Sequence, residues 1–170
     1  MTAMAVFDAM KRVYGLGERE RLLLRIAVML HDVGKYISMN FIAESSYNII
    51  MSNEIIGLSH AERETIALIA RYNTREMPPF EELSQETSID TGRYLLVAEL
   101  TAIVRYANSL DRSHMQKVQS IRAVLREQEL RLYLEVNRDF TLEQGLIGEK
   151  ADFFYEVFSV RPVLKIKRQI

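Results

Sequence analysis

Within five residues the chain places an imidazole, a carboxylate, a glycine and an ammonium: His31-Asp32-Val33-Gly34-Lys35. On a helix, adjacent residues such as His31 and Asp32 point about 100° apart, yet a long imidazole and a short carboxylate can still reach one point. A second carboxylate, Asp111, ends another apolar segment. If the two segments are helices lying side by side, His31, Asp32 and Asp111 can converge. One nitrogen and two carboxylate oxygens suit a weakly held divalent cation such as Mg, Mn or Fe(II). A structural reading stands beside this one. A histidine at a helix C-terminus can hydrogen-bond the last carbonyls and complement the dipole. Asp32 can pair with Lys35, and Asp111 with Arg112 or Arg105.

The cations near these residues suggest a second chemistry. Lys35, Arg71, Arg75 and Arg112 are candidates for holding phosphate, because guanidinium forks match phosphate oxygens. Arg71 and Arg75 stand one helical turn apart if their helix continues that far. Each could equally pair with a local acid, as surface charges commonly do.

Several classes are excluded. The 170 residues carry a net charge of −1, so any anion site must be local, and neither nucleic acid nor a membrane is an expected partner. With no cysteine there is no disulfide, thiolate zinc site or cysteine nucleophile. This fits a reducing compartment, and the expected location is cytoplasmic. No signal peptide, membrane span, internal repeat or low-complexity tract is visible. A hydrophobic content of 48% and a charged content of 26% describe an ordinary globular chain of one domain, or one domain with an appendage.

These residues need elements to hold them. Leu22 to Leu30 is apolar on nearly every side, which predicts a central helix covered by neighbours. A helix precedes it to Tyr14, broken from it by Gly15-Leu16-Gly17. Phe41 to about Asn53 predicts another helix. Ser59 and Glu62 form a capping-box signature for a helix through Tyr72. Asn73 to Gly92, with Pro78-Pro79, reads as a long loop. Tyr94 to Leu110 is the second strongly apolar helix. The period then falls to two at Ile121, Ala123 and Leu125, and again at Leu130, Leu132, Leu134 and Val136, predicting strands; a helix is the competing reading, because Arg, Glu, Leu and Gln are good helix formers. Phe140 to Phe158 predicts a helix, and Val160 to Ile166 a last strand, with Pro162 marking an edge or a strand start. The expected fold is mainly α over residues 1–114. Residues 115–170 form a small α+β appendage of about three short antiparallel strands and one helix.

The ordered set of motifs resembles a known family. It comprises Gly15-Leu16-Gly17-Glu18-Arg19, His31-Asp32-Val33-Gly34-Lys35, Ser46-Tyr47-Asn48-Ile49-Ile50, Gly57-Leu58-Ser59, Ala70-Arg71-Tyr72 and Leu110-Asp111-Arg112-Ser113. Ala151-Asp152-Phe153-Phe154 and Pro162-Val163-Leu164 follow in the tail. Together they look like an HD domain, and more closely like the C-terminal domain of the exopolyphosphatase / guanosine pentaphosphate phosphohydrolase (Ppx/GppA) family. The resemblance implies an HD-like helical bundle whose ligand set is degenerate. No histidine precedes His31, Ser45 and Asn73 stand where relatives carry histidine, and His60 and His114 read as surface. It also implies that hydrolysis resides in an N-terminal actin-like half, which this chain lacks. The abrupt helical start suggests a piece of a longer protein or a stand-alone relative.

Three functions follow as expectations. The first is an accessory domain of a Ppx/GppA-type enzyme, inactive alone, binding polyphosphate or a guanosine polyphosphate or forming a homodimer. The second is a metal-dependent phosphohydrolase using His31, Asp32 and Asp111. The third is a structural or oligomerisation module.

Overall fold

The computed structural model describes residues 2–111 and 117–168. It is mainly α with a small α+β part towards the C-terminus, as the periodicity predicts. The elements are α1 (Thr2–Tyr14), α2 (Glu18–Leu30), a short 3-10 turn (Val33–Tyr36), α3 (Ile42–Ser52), α4 (His60–Tyr72), α5 (Phe80–Glu86) and α6 (Thr91–Ser109). After them come β1 (Val118–Arg126), β2 (Glu129–Val136), α7 (Thr141–Phe158) and β3 (Arg161–Arg168). The chain divides into two compact units: Met1–Arg21 with Ala102–Ile170, and Leu22–Thr101. The sequence pattern places the change from a helical body to the small α+β part near residue 114. The compact units are drawn elsewhere, because α1 lies against β1 and so belongs with the sheet.

In the unit containing both termini, β1 and β2 form an antiparallel hairpin. Its two-residue turn is Glu127-Gln128, with Glu127 at φ 52°. β2 is the central strand and alternates as its sequence demands, burying Leu130, Leu132, Leu134 and Val136. The third strand corrects the expectation of an all-antiparallel sheet: β3 pairs with β2 in parallel, from Glu129 opposite Arg161 to Val136 opposite Arg168. The physical reason is the connection. A tight turn reverses a strand, whereas the 18-residue α7 carries the chain back to start again in the same direction. Pro162 lies on this edge strand, where a missing N–H is tolerated. α1 buries Ala3, Val6, Phe7 and Met10. The Tyr14 hydroxyl donates to the Phe158 carbonyl, and the Tyr14 ring meets the Phe158 ring edge-on at 4.8 Å.

In the other unit, α4 is the most enclosed element, with every residue from Glu64 to Ala70 buried. It begins with the predicted capping box: the Ser59 hydroxyl accepts from the Glu62 amide, and the Glu62 carboxylate accepts from the Ser59 amide. α3 lies against α4 and against the 3-10 turn.

Two expectations are corrected here. The Leu22–Leu30 run is not covered on all sides. Leu23, Leu24 and Ala27 form one buried stripe, while Leu22 is 40% and Met29 70% exposed. Neighbours cover a single face of this helix, so apolar content overstated its burial. The Asn73–Gly92 stretch is not wholly loop, since it contains α5. Pro79 blocks a helix arriving from upstream but suits the start of a new one, where its absent N–H costs nothing. Its carbonyl accepts from the Glu82 and Leu83 amides, and Leu83 is the buried anchor.

Candidate functional site

The segment carrying His31 and Asp32 turns out of α2 into the 3-10 turn. Gly34 is buried there, and its amide donates to the Ser46 hydroxyl of α3 at 2.9 Å. A Cβ at position 34 would sit 2.4 Å from the Ile42 carbonyl oxygen and 2.5 Å from the Ser46 nitrogen. Glycine is required by this close backbone approach.

His31 Nδ1 donates to the Val28 carbonyl at 2.8 Å, a hydrogen bond at the end of the helix. The Lys35 ammonium lies 2.7 Å from Asp32 Oδ2. Burial works to raise the Asp32 pKa, but the Lys35 hydrogen bond and the nearby His31 and Lys35 charges outweigh it and hold the carboxyl below its ordinary range. Asp111 follows α6 and belongs to the unit containing the termini, whereas His31 and Asp32 belong to the other. Arg112 and His114 lie outside the described residues. Among the described residues, no group of three or more His, Asp or Glu side chains is arranged to hold a metal ion.

The basic residues do assemble. α4 ends at Tyr72, so Arg75 lies beyond the helix rather than one turn along it. Arg71 and Arg75 nonetheless meet on one carboxylate. Arg71 Nη2 donates to Glu44 Oε2 at 2.6 Å, and Arg75 Nη1 to Glu44 Oε1 at 2.5 Å. The Arg71 guanidinium also lies over the Tyr47 ring, 3.9 Å from its centroid. Such stacking suits a flat, weakly hydrated cation. Exposure rises along the cluster, from 16% for the Arg71 side chain through 31% for Glu44 to 48% for Arg75. Burial opposes the Arg71 charge, and Glu44 more than restores it, so its pKa stays above the ordinary value.

Sequence reasoning missed Glu44 and Tyr47. Glu44 stands in the first turn of α3, where an acid reads as a dipole partner, and Tyr47 reads as an amphipathic core residue. No spacing in the chain joins residue 44 to residue 71; only the packing of α3 on α4 does so.

Elsewhere, a recess of about 470 Å³ opens among α1, the hairpin turn and the end of α7, next to Arg12, Tyr14, Glu127 and Ser159. None of His31, Asp32, Lys35, Arg71, Arg75 and Asp111 lines it. No helix among the described residues is long and apolar enough to cross a membrane.

No curated protein matches the chain. A family match covers residues 1–152 and is described as Ppx/GppA phosphatase, domain III. It takes in the His31–Lys35 segment, the Arg71–Glu44–Arg75 cluster and most of α7. With so much of its length matched, this chain belongs to the Ppx/GppA phosphatase domain III family.

Proposed function

We propose that this chain is the accessory, phosphate-binding part of a Ppx/GppA-type phosphatase. In this reading it is an HD-like helical domain with a degenerate metal site. It takes polyphosphate or a guanosine polyphosphate and leaves bond cleavage to an actin-like half of the enzyme. The observation that carries the reading is the convergence of Arg71 and Arg75 on a single point at the surface of α3 and α4. Two guanidinium forks aimed at one anion are what a phosphoryl oxygen cluster requires. Lys35 adds a further ammonium on the segment that Gly34 fixes to α3. The pairing of Asp32 with Lys35 supports a site that no longer serves a metal.

The test is titration of the 170-residue chain with long-chain polyphosphate, followed by calorimetry at several salt concentrations. Binding that weakens with salt, and weakens about tenfold or more in Arg71→Gln, is the expected result. Binding unchanged by Arg71→Gln and Arg75→Gln would overturn the reading.

One observation favours the alternative of an interaction module. Tyr36, Ile37, Met39 and Phe41 are all strongly exposed, a concentration of apolar side chains that marks contact surfaces. Sedimentation showing a concentration-dependent dimer that Phe41→Ser dissociates would support that role. A monomer at all concentrations would remove the homodimer.

A further inference from the structure

Glu44 is held between two arginines in the position an anionic ligand would take, which makes it more than a structural acid. Its two oxygens are divided, one to each guanidinium. A carboxylate has no third oxygen to offer, and the buried Nε of Arg71 remains without a hydrogen-bond partner. A buried N–H donor left unmet is costly, and a guanidinium edge presents its Nε beside an Nη as a two-pronged donor. A terminal phosphoryl group has three free oxygens and up to two negative charges. It can engage Arg71 through both prongs, meet Arg75 with the remaining oxygen, and bring one more charge than Glu44 supplies.

We infer that Glu44 is a built-in competitor occupying a phosphoryl site formed by Arg71 and Arg75, and that it must swing aside for a ligand to bind. This rests on the phosphate-binding reading above and deepens it by naming the site and its gate. The geometry permits the movement. Glu44 lies in the first turn of α3, its side chain is 31% exposed, and rotation about its own bonds carries it into solvent without disturbing the helix. The Tyr47 ring under Arg71 keeps that guanidinium in place when the carboxylate leaves. Binding then exchanges one intramolecular anion for one intermolecular anion. Singly charged groups gain little from such an exchange, whereas a doubly charged phosphoryl terminus gains an additional charge contact. The gate therefore selects chain ends of phosphoanhydrides over carboxylates and phosphodiesters.

The probe is inorganic tripolyphosphate, titrated into wild-type chain, Glu44→Gln, Arg71→Gln and the double variant. Glutamine keeps the size of Glu44 and removes its charge. Glu44→Gln is expected to bind about tenfold tighter than wild type, and the double variant to lose that gain. In the wild-type chain, the Arg71 Nε–H resonance is expected to shift on saturation as it acquires an acceptor. Equal or weaker binding by Glu44→Gln, with wild-type binding still lost in Arg71→Gln, would overturn the gate and leave the phosphate site standing. No binding by wild type or Glu44→Gln would overturn the reading beneath it as well. Circular dichroism melting establishes that each variant is folded. Should Glu44→Gln fail to fold, Glu44→Ala takes its place: tighter binding than wild type supports the gate, and equal or weaker binding overturns it.

Discussion

The Gly34 amide and the Ser46 hydroxyl are joined 2.9 Å apart in a buried contact, and this contact ties the His31–Lys35 segment to the helix that carries Glu44. Adding one methyl group at Gly34 would place carbon 2.4 Å from the Ile42 carbonyl oxygen, a backbone atom that cannot swing away. Gly34→Ala is expected to destabilise the chain by about 3 kcal/mol, the upper end for overpacking. Ser46→Ala leaves the amide unpaired and is expected to cost about 1–3 kcal/mol. Urea denaturation of both variants checks the pair.

A second pairing concerns the unit with the sheet. The Lys117 ammonium lies 3.0 Å from Glu143 Oε2, and the Glu143 side chain is fully buried. Removing Lys117 takes an ammonium away from a carboxylate in a poorly solvated place. Lys117→Met is expected to lower stability by about 3 kcal/mol, read as a fall in the urea midpoint. A change under about 0.5 kcal/mol would mean that the surroundings of Glu143 compensate without Lys117.

Ser159 ends α7 in the left-handed region, at φ 52°, with its amide donating to the Tyr155 carbonyl at 2.7 Å. A side chain in this region is strained, and glycine is the residue that adopts it freely. Ser159→Gly is expected to stabilise by roughly 1 kcal/mol, seen as a higher melting temperature. A lower one would show that the serine side chain contributes more than its backbone strain costs.

Two carboxylates are expected to respond to pH in opposite senses. The Asp32 pKa is depressed in the fold, so its contribution is present above the ordinary carboxylate range and is lost as pH falls through the folded value. Asp32→Asn should therefore be less stable than wild type near neutrality and approach it in acid. Glu99, on α6, is half-buried, and burial alone raises its pKa. Its protonated form is the one the fold favours, so stability is highest below the ordinary range and is lost as pH rises through the raised value. Glu99→Gln should exceed wild type at neutral pH and converge with it in acid. Melting curves from pH 3 to pH 8 test both, and parallel curves for either pair would contradict the stated cause.

Much of this protein is legible in the chain because it follows from local periodicity. The alternation at Leu130, Leu132, Leu134 and Val136 requires a half-buried strand, and Ser59 with Glu62 requires a helix start; both are short-range matters of backbone geometry and hydrogen bonding. The ordered motifs from Gly15 to Ser113 carry the family for the same reason, since they can be compared residue by residue. What tertiary structure decided is direction, coverage and meeting. The sequence pattern of β3 is the same whether it runs parallel or antiparallel, and only the route through α7 sets its sense. The apolar faces of α2 do not say which of them a neighbour will cover. The partner of Arg71 and Arg75 is 27 residues from the first and 31 from the second, and no periodicity spans such distances. Charges far apart in sequence acquire a common function only when two helices bring them within hydrogen-bond reach, and that is a property of the packed fold.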